Sequence, residues 1–271
     1  MAAVKQKDYA AIGAAKITRV TDVKSKPPRI LVYSRNKKGK SRFCATAPKV
    51  LMVDPEHGTD RMTRINPSVW HIEEWAEMDE VYKFLKLGNH DFEWVALDPT
   101  TRIHGFSLRF VMDMAEERSL DTKPKLVQKQ HYGQAGELTK EMLWNFHRLP
   151  MGVIYTAQER QVDGASGDED EDSEEPAAMY VPDLPKGARA SINSIVDVIG
   201  RIYTVKTNVK ARRAGGDIYE KEVIQRRLWL EPSAQYDTGY RSDFVLPAYL
   251  KNPTVPRLVE LMTKGKVSTN G

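Results

Sequence analysis

Apolar positions in this chain fall into short, dense runs separated by stretches of helical spacing. Ile30-Leu31-Val32-Tyr33, Val50-Leu51-Met52-Val53 and Trp94-Val95-Ala96-Leu97 are apolar at successive positions, and Met151 to Ala157 is so except at Thr156, the pattern of strands buried on both faces. Between them, Glu73 to Leu87 carries Trp75, Met78, Val81, Tyr82 and Leu85 along one helical stripe. Residues 103–118 and 137–148 also read as helices, and a short helix is expected to start within residues 34–41 and end near Pro48. Further on, the pattern predicts a helix over 190–198 and a hairpin of strands 201–205 and 222–230 around Gly215-Gly216. Strands alternating with helices imply right-handed crossovers, so the predicted fold is α/β, a mainly parallel sheet with helices on both faces and a C-terminal β-hairpin extension.

In such sheets ligands collect at the carboxyl ends of the strands. The first strand runs into Ser34-Arg35-Asn36-Lys37-Lys38-Gly39-Lys40-Ser41, which fits the phosphate-loop pattern G-x-x-x-x-G-K-[ST] with Ser34 in place of the first Gly. Backbone N–H groups of such a loop converge on phosphates, its Lys reaches the β- and γ-phosphate oxygens, and its hydroxyl ligates Mg²⁺. Ser34, Arg35, Asn36, Lys37, Lys38, Gly39, Lys40, Ser41 and Arg42 are therefore candidate nucleotide contacts. The other reading of this stretch is a basic surface turn. The second strand leads to Glu56, the third ends at Asp98 and the fourth at Gln158. A carboxylate closing an apolar strand, as Asp98 does, is placed to hold Mg²⁺ together with Ser41.

Composition adds an asymmetry. The chain of 271 residues carries a formal net charge of +4, yet Asp163, Asp168, Glu169, Asp170, Glu171, Asp172, Glu174 and Glu175 stand within one short segment. Without those eight acidic charges the remainder stands at +12. A basic body with an acidic segment fits a polyanion binder carrying its own competitor, or a solvated loop without a role. Lys206, Lys210, Arg212 and Arg213 form a basic patch beside the hairpin tip, and Arg160, Lys186 and Arg189 flank the acidic segment. No apolar run is long enough to cross a bilayer, the amino terminus lacks an apolar secretory core, and the single Cys44 excludes an internal disulfide. A cytoplasmic protein without a membrane partner is expected. His57, His71, His104 and His147 show no metal-ligand spacing, so no zinc is expected.

Leu51 to Arg61, with Asp54-Pro55-Glu56-His57-Gly58-Thr59, resembles the segment of RecA-like recombinases in which a strand ends in an acidic turn. More closely, residues 29–262 resemble the phage-encoded RecA-like P-loop ATPases, AAA-type nucleotide-binding proteins that include single-strand-annealing recombinases. The landmarks are the phosphate loop with Ala45-Thr46-Ala47-Pro48, the Asp54–Thr59 turn, Asp98-x-Thr-Thr, Val153–Arg160 with Gln158, and Arg241-Ser242-Asp243-Phe244-Val245-Leu246-Pro247. The resemblance implies an ATP- and Mg²⁺-dependent, DNA-stimulated ATPase acting in the host cytoplasm as a homo-oligomeric ring or filament on single-stranded DNA, alongside a phage or host single-strand-binding protein. It implies that Glu56 activates water, that Gln158 senses the γ-phosphate, and that Arg241 reaches a neighbour's nucleotide. It also implies DNA contact by Arg160, Lys186 and Arg189. The hairpin patch with Lys210, Arg212 and Arg213 reads either as a DNA-reaching finger or as a solvated turn. The corresponding division is a polar arm 1–26, an ATPase core 27–207 with an acidic mobile loop 159–185, a hairpin and extension 208–262, and a tail 263–271. A helicase or helicase loader of the same fold, a nucleotide-dead DNA-binding protein and an interaction protein with a DNA-mimicking loop are the alternatives.

Overall fold

The computed structural model of the chain describes residues 14, 16–19, 26–117, 126–163, 178–212 and 218–266. The central sheet contains β1 (Arg29–Ser34), β2 (Val50–Asp54), β3 (Ser68–His71), β4 (Trp94–Leu97), β5 (Gly152–Asp163), β7 (Val198–Arg212), β8 (Ile218–Trp229) and β10 (Tyr249–Lys251). Their spatial order is β10-β8-β7-β1-β5-β4-β2-β3, while β6 (Ala178–Pro182) pairs with β5 and β9 (Gly239–Tyr240) with β7. From β7 through β3 neighbouring strands are parallel, and β8, β9, β10 and β6 join antiparallel. The mainly parallel α/β sheet expected from the sequence is therefore present.

The unbroken apolar runs follow from burial on both sides. Leu31 and Tyr33 of β1 face one core, shared with α2 (Ala76–Leu87), α3 (Thr100–Glu117), α4 (Lys129–His147) and α5 (Lys186–Ile195). Ile30 and Val32 face the other, filled by Phe43 and Cys44 of α1 (Lys40–Cys44) and by Val255, Leu258 and Leu261 of α6 (Val255–Lys264). Cys44 is fully buried, and burial pushes its thiol well above the ordinary cysteine value, so it packs as an apolar residue. At the amino end of β1, the buried Arg29 guanidinium donates to the carbonyls of His147 at 2.9 Å, Leu149 at 2.8 Å and Pro27 at 2.6 Å. It ties the start of the phosphate-loop strand to the end of α4. Gly152 begins β5 because a Cβ there would run into the Trp94 ring of β4.

Several elements differ from the sequence reading. The hairpin strands are 198–212 and 218–229, longer than the expected 201–205 and 222–230, and β7 starts inside the sheet beside β1. The boundary expected at residue 207 falls within β7, and the segment after it supplies β8, β10 and the core helix α6 to the same sheet and core. The tail expected from 263 begins inside α6, which ends at Lys264. Both ends of the expected mobile loop are paired, Glu159–Asp163 against Ala178–Pro182. Arg213, the Gly215-Gly216 tip and the acidic run from Asp168 to Glu175 lie outside the described residues.

Candidate active site

β1 delivers the chain at Ser34 into a loop that turns twice through left-handed backbone, at Lys37 (φ 61) and Gly39 (φ 103), before α1 begins. Ser34 is the last residue of β1 and is not a left-handed position, so a side chain is tolerated where the pattern has Gly. Its hydroxyl donates to the Arg35 carbonyl at 2.8 Å. Lys40 is buried, and its Nζ donates to the Ser34 carbonyl at 3.1 Å, the Ser34 hydroxyl at 3.3 Å and the Arg35 carbonyl at 3.4 Å. The ammonium is thus held across the mouth of the loop. Burial pushes it below the ordinary lysine value, against the pull of Asp98 and Glu56.

Asp98 and Glu56 act electrostatically on that ammonium, and Asp54 shapes the turn that carries Glu56. Asp54 is buried and accepts from Glu56 N at 3.0 Å, Thr59 N at 2.9 Å and the Thr59 hydroxyl at 2.6 Å, closing the turn that presents Glu56. Asp98 is buried at the end of β4 and accepts from the Thr156 hydroxyl at 2.5 Å. Desolvation raises Asp98 above the usual carboxylate range, opposed by the Ser41 and Thr156 hydroxyls and by Lys40. Glu56 remains accessible to solvent, yet partial desolvation and the nearby Asp98 raise its carboxyl, while Arg102 and Lys40 oppose the shift. Lys40, Ser41, Asp98 and Glu56, read from separate strand ends, are therefore electrostatically coupled neighbours in one place.

Gln158 lies on β5 directly beside Ser34, and its N–H donates to the Thr101 hydroxyl at 3.1 Å. The next residue, Glu159, is almost fully enclosed and pairs with Arg201 Nε at 2.5 Å and Arg35 Nε at 3.2 Å. The Arg201 guanidinium rests 4.4 Å from the Tyr236 ring centre and also faces Tyr180 and Tyr203. The strand beside the phosphate loop is thereby anchored to β7.

Not every candidate joins this place. Arg241 donates its backbone N–H to Asp197 and its guanidinium to the Ser194 carbonyl at 2.9 Å, at the amino end of β7 and thus opposite the phosphate loop. Asn36 and Arg42 are exposed on the loop and α1. The DNA-contact candidates divide into two groups. Arg160 lies near Asp183 and Arg189, the half-buried Arg189 has one buried Nη1 without a hydrogen-bond partner among the described residues, and Lys186 is exposed at the start of α5. Lys210 and Arg212 are exposed on the outer half of β7.

The sequence reading missed a cation contributed from outside the loop. Arg226 of β8 lies over Gly39 so tightly that a Cβ on that glycine would fall 2.7 Å from the arginine Nε. Its register partner Thr204 accepts from Lys38 Nζ at 3.2 Å, so both hairpin strands touch the loop. Cross-strand pairing puts Lys206, Lys210, Arg212 and Arg226 on one face of the hairpin, with Lys206 paired to Glu222 at 3.0 Å. A large cavity of about 850 Å³ lies elsewhere, between α3 and α4 beside Phe110, Met114 and Trp144, away from these groups.

A family model described as the AAA domain matches residues 26–242 of the chain. Among solved structures, the chain is similar to a KaiC-like protein from the hyperthermophilic archaeon Pyrococcus horikoshii OT3, at 9% identity and a TM-score of 0.43, over 84% of this chain and 90% of that one. No curated protein matches it in sequence.

Proposed function

Given that the chain belongs to the AAA-domain family, a family of P-loop ATPases, we propose that it is a DNA-dependent ATPase that grips single-stranded DNA as an annealing recombinase of a phage. The observation that carries the ATPase half is the coupling of Lys40, Ser41, Asp98 and Glu56 around the mouth of the phosphate loop. Phosphoryl transfer to water needs positioning and charge neutralisation more than covalent chemistry. Lys40, released from the Ser34 and Arg35 carbonyls, meets the β- and γ-phosphates. Glu56 orients the attacking water and accepts its proton, and a carboxyl raised above the usual range is the better base. The oxygen donors of Ser41 and Asp98 suit Mg²⁺ and would hold it. When bound, Mg²⁺ supplies charge neutralisation on the phosphates. Gln158, beside Ser34, would sense the γ-phosphate, and Arg226, lying over Gly39, would add a cation to the phosphate loop from within the chain.

Support for the DNA half is the hairpin face that carries Lys206, Lys210, Arg212 and Arg226, with Glu220 and Glu222 interleaved, and runs outward from Gly39. Cations spaced along an exposed ribbon suit a phosphate backbone. Nucleotide occupancy and DNA grip would then share Arg226 and Thr204. Arg160, Lys186 and Arg189 would form a second contact region, and Arg241 would act only on a neighbouring protomer in a homo-oligomer. The test is steady-state ATP hydrolysis with and without single-stranded DNA, alongside DNA binding with ATP. DNA-stimulated hydrolysis lost in Glu56→Gln is the expected result. Hydrolysis indifferent to DNA, with no DNA binding, would leave an ATPase acting on another partner.

A further inference from the structure

We propose that His57, Asp60 and His71 form a binding site for a divalent transition metal of the zinc type, separate from the Mg²⁺ position. One potential ligand atom from each of the three side chains lies within 4.8 Å of the other two. His71 Nε2 is 3.6 Å from Asp60 Oδ1, and the two imidazoles stand face to face with ring centres 4.3 Å apart. The sequence separates these histidines widely. The parallel register of β2 and β3 sets His71 directly opposite Asp54, at the root of the turn that carries His57 and Asp60.

The backbone that supplies the ligands is organised before any metal arrives. His57 takes left-handed backbone (φ 54), an unfavourable conformation for a non-glycine residue, within the turn that Asp54 fixes by its hydrogen bonds to Glu56 and Thr59. The Asp60 N–H closes on the His57 carbonyl at 3.4 Å. Behind the site, the buried Asp54 Oδ2 lies 4.0 Å from His71 Nδ1, leaving Nε2 toward Asp60.

Two imidazoles and a carboxylate favour zinc, cobalt or nickel, whereas Mg²⁺ prefers an all-oxygen shell. Tetrahedral coordination with bonds of about 2.1 Å needs ligand atoms roughly 3.4 Å apart. All three side chains are exposed, so rotation about their own torsions can close that difference without moving the sheet. Three protein ligands leave a position for water. The site adjoins Glu56 in the chain, so an occupied metal should alter turnover. That consequence rests on the ATPase reading, and the binding itself does not.

The test is calorimetric titration of the full chain with Zn²⁺, without nucleotide and in excess Mg²⁺, repeated with Co²⁺ while following visible absorption. One equivalent of Zn²⁺ should bind, and Co²⁺ should develop bands of a low-coordinate nitrogen and oxygen site. His71→Ala and His57→Ala should each weaken binding on the order of 10²-fold, the upper end of what outer-shell losses cost. Asp60→Asn, with a smaller change in shape, should weaken it less. Circular dichroism melts of each variant confirm that the fold persists. Absence of Zn²⁺ binding, or binding unchanged in both histidine variants, overturns the site and leaves the ATPase reading intact. A chain without ATPase activity that still binds Zn²⁺ through these residues leaves the site intact.

Discussion

Arg226 and Gly39 are in such close contact that the glycine could not carry a side chain without displacing the arginine. The contact spans the sheet from β8 to the loop after β1, and the arginine is exposed otherwise. Arg226→Ala should weaken ATP and ADP binding alike, because the contact lies at Gly39 rather than at the γ-phosphate end. A tenfold or larger rise in both dissociation constants, on the order of 1.4 kcal/mol, is expected from loss of one charge-assisted contact. Fluorescent-nucleotide titration checks this, and unchanged affinity would make Arg226 only a packing neighbour of the loop.

Lys40→Ala and Glu56→Gln should fail differently. Among the described residues Lys40 hydrogen-bonds only to oxygens of Ser34 and Arg35, so its removal should leave the fold intact while weakening ATP binding and cutting turnover on the order of 10²-fold or more. Glu56→Gln should keep ATP affinity and lose about 10²–10⁴ in turnover. Single-turnover kinetics beside equilibrium binding separates the two. Wild-type turnover in Glu56→Gln would reduce Glu56 to a turn residue.

Asp98→Asn should trade activity for stability. Burial raises the Asp98 carboxyl above its unfolded value, so its contribution to stability is fully present below the unfolded value and is lost as pH rises through the folded one. The asparagine suffers no such loss and can still accept from Thr156. Its melting temperature without nucleotide should therefore exceed wild type at pH 8 by a few degrees, and the gap should close as pH falls toward 4. Each kcal/mol relieved corresponds to about 2–4 °C. Mg²⁺-dependent hydrolysis should disappear in the same protein. Equal melting curves at pH 8 would mean that the hydroxyls fully offset the cost of burying the charge.

Glu159 offers a contrast between enclosed and exposed partners. Glu159→Gln leaves the Arg201 guanidinium among three tyrosines without its counter-charge and should cost on the order of 3 kcal/mol. Arg35→Ala removes a partner whose side chain is 67% exposed and should change stability by less than about 1 kcal/mol. Urea unfolding of both variants decides it, and equal effects would contradict the enclosed pair.

The phosphate loop, Glu56, Asp98 and Gln158 could be located from the sequence because each follows an apolar strand, and buried parallel strands are visible as unbroken apolar runs. β4 begins and ends where its run does, Trp94 to Leu97. Edge and projecting strands leave weaker traces. Ser68 to His71 is half exposed, and the outer half of β7 alternates polar with apolar residues in solvent, so β3 and the true length of the hairpin were not apparent. Ser34 departs from the phosphate-loop pattern, and a linear pattern cannot show that the left-handed positions fall at Lys37 and Gly39. Arg226 reaches Gly39, and His71 reaches His57, through strand pairings between distant segments. No local pattern encodes either contact. Arg241 is carried to the far end of the sheet by the pairing of β9 with the first residues of β7.

β7 is one uninterrupted strand that begins in the ladder against β1, Ile30 opposite Val198 through Tyr33 opposite Arg201, and continues to Arg212 in solvent. Beyond Arg201 it pairs with β8, over a run of about 36 Å at the usual rise of a strand. Mechanically it is a beam clamped at one end beside the phosphate loop. A load on the outer hairpin must reach the clamp as shear along the β1 ladder, and a change in the loop must tilt the beam at its root. On the ATPase reading, a force applied at Arg212 should then be readable as a change in the rate of turnover.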